Sequence, residues 1–232
     1  MIQEVVAIVD RSGSMSGKEE DTIGGVNSTI EELKENKDNM VIKFSIKFFD
    51  HQEYLKLKSL DIENVKQLNK WDLKPRGQTA LLDAMGNTIT HFINKKMANP
   101  ESFDSCIIYV ATDGMENASK RYDNNKIKNL ISEAKKYNIE LLYLGANQDA
   151  IYEASKFGLN REQAMNYNET GETIEAAYRA AASAAKRLRS GDPIGFLPAE
   201  RSKSQPSSNL ATPSFGLPTP PPVRKNSNIK IT

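Results

Sequence analysis

Three short segments of this chain set oxygen-bearing side chains where a folded protein could use them together. The first, Asp10-Arg11-Ser12-Gly13-Ser14-Met15, places a carboxylate and two hydroxyls at alternate positions, with a glycine that permits a tight turn. The second, Arg76-Gly77-Gln78-Thr79-Ala80-Leu81-Leu82, is a glycine-containing loop that puts the Thr79 hydroxyl at the start of a helical pattern. The third, Ala111-Thr112-Asp113-Gly114, adds a second carboxylate at the end of an apolar run. All of these are hard oxygen donors. Mg²⁺ favours near-octahedral oxygen ligands and keeps several waters, so two hydroxyls plus carboxylates acting through water would suit it.

Other chemistries fit the same residues less well. Gly13 to Lys18 resembles a phosphate-binding loop, but the spacing is one residue short of GxxxxGK, and Glu19 and Glu20 follow the lysine where Ser or Thr is needed. A phosphatase of the aspartyl-phosphate kind wants a second aspartate two residues after the first, and Ser12 stands there. A Ser-His-Asp hydrolase needs a histidine beside its nucleophile. Only His51 and His91 exist, one expected in an edge turn and one on the polar side of a helix.

The elements that must position these loops alternate along the chain. Val5, Val6, Ala7, Ile8 and Val9 form the continuous apolar run of a strand buried on both faces. Ile23, Val26, Ile30 and Leu33 then mark one stripe of a helix. Ile42, Phe44, Ile46 and Phe48 alternate strictly with Lys43, Ser45 and Lys47, which predicts a strand with one wetter face, toward a sheet edge. Asp50-His51-Gln52 turns the chain into a second alternating run with Leu55 and Leu57, an antiparallel edge hairpin. Next come a helix with Leu82, Met85, Ile89 and Ile93, a strand at 106–110, a helix with Ile127, Leu130, Ile131 and Ala134, and a strand at 139–144. A helix at 150–157 closed by Gly158 and an alanine-rich helix at about 173–188 complete the series. The alternation predicts a three-layer α/β domain with a mostly parallel sheet. In such a sheet the ligand site lies beyond the carboxyl ends of the strands, where Asp10 and Asp113 fall.

The chain has 232 residues, enough for one domain of ordinary size. With 31 basic against 30 acidic residues the net charge is +1, which lacks the basic field of a nucleic-acid binder. No apolar run nears the ~20 residues of a membrane span. The first ten residues carry Glu4 where a secretion signal wants a base, so a cytoplasmic setting is expected. The single cysteine, Cys106, is expected to be a buried thiol. Eight of the ten prolines follow Gly191, so the domain is expected over 1–190 and a Pro/Ser-rich tail over 191–232. That tail holds two acids against five bases and is expected to be a linker or an arm docking on a partner, with Thr219 to Lys225 as its anchor. Trp71 is expected to be a packing anchor.

Asp10-x-Ser12-x-Ser14, followed by Thr79 and then Asp113 in the contexts given above, resembles the metal-ion-dependent adhesion site of von Willebrand factor A domains. The resemblance implies a Rossmann-like fold with a six-stranded sheet, one antiparallel edge strand and helices on both faces. It also implies that Ser12, Ser14 and Thr79 hold Mg²⁺, or Mn²⁺, directly or through water, with Asp10 and Asp113 in the first or second shell. An acidic side chain of a protein partner would then complete the coordination. Such a module would be a binding protein, not an enzyme. Arg11, Met15, Gly77, Gly114 and Glu116 are expected to rim the partner surface, and Asp83 to hold the metal loop by hydrogen bonds. Two other functions remain open: a phage or bacterial assembly protein, even a virion component, built on the tail and the alanine-rich helix, and a metal-dependent phosphoryl-transfer enzyme.

Overall fold

A computed structural model describes residues 1–205 apart from 38, 147 and 148. The proposed anchor at Thr219 to Lys225 lies outside the described residues. A six-stranded sheet runs through the molecule in the order β3-β2-β1-β4-β5-β6. The strands are β1 (Ile2–Asp10), β2 (Val41–Phe49), β3 (Glu53–Asp61), β4 (Ser105–Thr112), β5 (Ile139–Ala146) and β6 (Ala164–Tyr167). All pair in parallel except β3, which returns antiparallel along β2 as the edge hairpin requires. The helices are α1 (Glu19–Glu35), α2 (Leu81–Ala98), α3 (Asn124–Ala134), α4 (Ala150–Lys156), α5 (Gly171–Ser190) and α6 (Pro198–Ser204).

Alternation along each central strand sorts side chains into two cores. Val5, Ala7 and Val9 of β1 join Ile107 and Tyr109 of β4 under α1 and α5. Val6 and Ile8 join Ile108 and Val110 under α2, α3 and α4, with the buried thiol of Cys106 among them. On β2, Ile42, Phe44, Ile46 and Phe48 all enter the first core, while Lys43 and Lys47 stay half-buried on the other face. The small residues of α5 let it approach α1 closely. There the Thr29 hydroxyl donates to the Tyr178 carbonyl at 3.1 Å, and the Tyr109 and Tyr178 rings meet edge to face at 5.8 Å.

Strand order reverses between β1 and β4. The connections leaving these two strands run to opposite sides of the sheet, and a crevice opens at their carboxyl ends. Asp10 ends β1 and Thr112 ends β4, so the loops singled out by the sequence begin at that crevice.

The structure departs from expectation in three places. Strand β6 has four residues and gives too short a pattern to be recognised by periodicity. Trp71 is not a packing anchor: it is 74% exposed, with the Lys70 ammonium 5.4 Å from its ring centroid. Packing also continues past Ser190. Gly191 caps α5 in the left-handed conformation, Phe196 is buried, and Arg187 holds Glu200 with two parallel hydrogen bonds at 2.9 and 3.0 Å. Arg201 donates to the carbonyl of Ala164 on β6 at 2.7 Å. Phe196, Glu200 and Arg201 carry this packing from within a stretch whose prolines and serines read as a tail. Among the described residues no helix is long and apolar enough to cross a membrane.

A chain ending at Ser190 should therefore be less stable than one ending at Gln205 by about 2–4 kcal/mol, from the loss of Phe196 burial and the Arg187–Glu200 pair. Urea unfolding of the two would measure it, and equal midpoints would show that residues 191–205 add nothing to the fold.

Candidate metal centre

The five predicted oxygen donors come together at the crevice. Asp10 is wholly buried; its Oδ1 accepts from the Ser12 amide at 2.6 Å and its Oδ2 from the Thr112 hydroxyl at 2.5 Å. The Ser12 and Ser14 hydroxyls lie 3.0 Å apart, and Ser14 Oγ donates to Asp113 Oδ1 at 2.6 Å. Thr79 enters from the start of α2. A β-carbon built on Gly114 would sit 3.2 Å from Thr79 Oγ1, 3.5 Å from Ser14 Oγ and 3.8 Å from Asp10 Oδ2. These three oxygens thus surround one small space, which the missing side chain of Gly114 leaves open. Ser12 and Thr79 are buried and Ser14 is exposed, so the cradle opens to solvent on the Ser14 side.

Backbone hydrogen bonds join the three loops. Arg11 N donates to Phe49 O at 2.7 Å, Arg76 N to Arg11 O at 2.8 Å, and Gly13 N to Gly77 O at 3.1 Å. The first two loops are thereby tied edge to edge. Gly77 has φ +69°, and a β-carbon there would meet the His51 ring at 2.2 Å, so the position needs glycine twice over. The Thr79 and Asp113 loops are tied through Asn117, whose side-chain oxygen accepts from Thr79 N at 2.9 Å while its own amide donates to Thr79 O at 3.1 Å. Beneath them Asp50, wholly buried, takes the Arg76 Nε hydrogen bond at 2.9 Å. Arg11 Nε lies 2.9 Å from the same oxygen, an ion pair without hydrogen-bond alignment.

Several predicted rim residues have other duties. Met15 is buried beneath its loop and offers a partner nothing. Arg11 is 9% exposed, clasped against Asp50 and the Tyr54 ring. Glu116 accepts from the amides of Leu82, Ala118 and Ser119 and from the Ser119 hydroxyl, so both its oxygens are occupied in fixing the start of α2. Asp83 does not hold the metal loop. Its carboxylate accepts from the amides of Lys120, Arg121 and Tyr122, and these bonds hold its carboxyl below the usual range despite partial burial. Gly77 and Gly114 do lie at the rim, beside exposed Met115 and the half-exposed side chain of Arg76.

Sequence reasoning missed Lys18 and Glu169. The Lys18 ammonium donates to Asp113 Oδ2 and to Glu169 Oε1. Partial burial opposes its charge, but the two carboxylates outweigh that and raise its pKa. The only sequence signal was its place in a failed phosphate-loop pattern, which pointed to a different role.

The donor set fits a small hard cation. Among the described residues no group of three or more His, Cys, Asp or Glu side chains could hold a metal ion, so a cation here would depend on the hydroxyls. Burial pushes Asp10 up from 3.8 to about 6, against the hydrogen bonds from Thr112 and Ser12, and none of the described ion pairs reaches it. A buried carboxylate in need of positive charge is what a cation site supplies. A separate cleft under the β2–β3 hairpin, about 250 Å³ and lined by Val6, Leu55, Phe92 and Lys58, includes none of these residues.

The chain belongs to the von Willebrand factor type A domain family, whose sequence model matches residues 4–180. Among solved structures it is similar to proximal thread matrix protein 1 from the mussel byssus, with a TM-score of 0.55 at 13% identity over 80% of this chain and 46% of that one. It therefore spans about half the length of the mussel protein. It is also similar to the vWF domain of the type V pili tip protein Mfa5 from Porphyromonas gingivalis (TM-score 0.58, 11% identity, 85% and 98% of the two chains). The PilB minor pilin from Streptococcus sanguinis gives 0.58 at 14% identity, over 83% and 64%. At these identities the likeness is one of fold. No curated protein sequence matches the chain.

Because the folded state raises the Asp10 pKa, ionising it costs stability as pH rises from about 4 through about 6. Asp10→Asn should remove that cost, since Thr112 Oγ1 can accept from the new amide. In chelator, the variant should gain on the order of 1–3 kcal/mol at pH 8 and nothing at pH 4. Denaturant melts at the two pH values would check it; an equal gain at both would exclude ionisation as the cause.

Proposed function

We propose that this domain is a protein interaction module that uses a Mg²⁺ ion held by Asp10, Ser12, Ser14, Thr79 and Asp113 to grip an acidic residue of a partner. The observation that carries this reading is the convergence of the Thr79, Ser14 and Asp10 oxygens on the space above Gly114. A bound Mg²⁺ supplies an electrophilic coordination position that a carboxylate can fill. The chain's own residues do the rest. Ser12, Ser14 and Thr79 offer neutral oxygens, so two carboxylates leave a divalent ion close to neutral and able to accept a third. Half-exposed Arg76 at the rim favours an approaching acid, and exposed Met115 offers apolar contact beside it.

Binding, not catalysis, suits the surroundings. His51 lies against Asp50, with Nδ1 3.3 Å from Oδ1, and the space a Gly77 side chain would need is filled by its ring, while His91 lines the separate cleft under the β2–β3 hairpin. Neither is placed to activate Ser12 or Ser14 as a nucleophile. Three proteins of the same fold are described as a pili tip protein, a pilus adhesin and a minor pilin, all of which suit an interaction role.

Calorimetric titration of the full chain with Mg²⁺ and Mn²⁺ should show saturable binding that is lost in Ser12→Ala/Ser14→Ala. A folded wild-type chain that takes up neither ion would overturn the reading. Gly114→Ala would place a methyl group within 3.2 Å of Thr79 Oγ1. That variant should weaken Mg²⁺ binding about tenfold or more while shifting the metal-free melting temperature by only a few degrees. Normal affinity in Gly114→Ala would put the cation elsewhere.

A further inference from the structure

Lys18 brings an ammonium group against Asp113 at the oxygen cradle. Asp113 is shared as a result: Oδ1 accepts from Ser14 inside the cradle, while Oδ2 accepts from Lys18. The same ammonium reaches Glu169, in the turn between β6 and α5. Both ends of this bridge are anchored. The Lys18 amide donates to Met15 O at 3.1 Å and its carbonyl accepts from Thr22 N at 2.9 Å, which fixes its backbone at the start of α1. On the Glu169 side, Asn168 N donates to Ser204 O at 3.0 Å, and the Thr170 and Thr173 hydroxyls lie 2.7 Å apart. The Asp113 side chain is only 3% exposed, whereas Lys18 and Glu169 are 28% and 23% exposed. Lys18 therefore joins a nearly buried carboxylate to a wetter one, and its flexible stem can favour either.

We infer that Lys18 is a resident cation that competes for Asp113, and that Glu169 draws it away, so that the pair sets how tightly the site takes a divalent ion. This rests on the metal-binding reading above. The ammonium neutralises part of the charge Asp113 would offer the incoming ion, and two positive charges sharing one carboxylate repel each other across a poorly solvated gap. Glu169 gives Lys18 a second carboxylate, so leaving Asp113 does not strand the ammonium. Removing Lys18 should therefore strengthen cation binding and removing Glu169 should weaken it. General damage to the fold would weaken binding in both.

The test is Mg²⁺ calorimetry on the full chain in the wild type, Lys18→Met, Lys18→Arg, Glu169→Gln and the Lys18→Met/Glu169→Gln double variant, with thermal melts in chelator beside each. Lys18→Met should bind Mg²⁺ about tenfold tighter or more, and Lys18→Arg should stay within about threefold of wild type. Glu169→Gln should bind roughly threefold to tenfold more weakly. The double variant should match Lys18→Met, because Glu169 acts through Lys18. A folded Lys18→Met with wild-type or weaker affinity would overturn it and leave the metal-binding reading intact. So would an equal loss from Glu169→Gln in both backgrounds, which would show that Glu169 acts on the ion directly. No Mg²⁺ uptake by any folded variant would overturn both.

Discussion

Asp10 is a carboxylate wholly buried at the end of the central strand, held by hydrogen bonds and no described ion pair. A group of this kind is tolerated only where the surroundings supply partners or positive charge. Much of the crevice is organised by that need. The Ser12 amide and the Thr112 hydroxyl orient its two oxygens, one from its own loop and one from the neighbouring strand. Because β1 and β4 pair in register up to Val9 and Ala111, the two ends arrive at the same height, and Asp113 follows at once. The reversal of strand order between these neighbours then keeps helices from covering the spot.

What makes this a preorganised site is the treatment of the loops. Each of the three has its free backbone groups taken up by another: Arg11 by Phe49 and Arg76, Gly13 by Gly77, and Thr79 by Asn117 on both its amide and its carbonyl. The acids nearby continue the same work. Glu116 satisfies the Leu82 amide in the first turn of α2, and Asp83, in the same turn, gathers three amides of the 120–122 segment. Hydroxyls set on such a framework lose little freedom when they meet a ligand, and that low entropic cost lets neutral donors compete with charged ones.

Much of this architecture is legible in the sequence because it rests on period and order. A five-residue apolar run, a 3.6-residue stripe and a strict alternation, taken together in their order, point to a parallel α/β sheet, and that order dictates where the ligand crevice falls. Side-chain direction at the rim is not legible in the same way. Met15, Arg11 and Glu116 stand in the expected loops, yet one points inward, one is clasped by a buried aspartate and one closes a helix start. Spacing alone does not distinguish an acid that faces a ligand from one that caps a helix. Lys18 and Glu169 were hidden for another reason: they are 151 residues apart and meet only because α1 and α5 lie side by side over the sheet. Phe196 and Arg201 were lost in a stretch whose prolines and serines resemble a tail.

Residues 191–205 have a further consequence at the end of the sheet. Strand β6 is the outermost on its side and only four residues long. Open strand edges invite pairing with another chain, and proteins in general cover, shorten or charge them. Here the Phe196 amide donates to Glu162 O just before β6, Arg201 caps the carbonyls of Ala164 and Arg161, and Asn168 just beyond the strand is bonded to Ser204. The segment after α5 thus serves as a selvedge, finishing the border of the sheet so that its last, short strand does not offer an open edge to another chain.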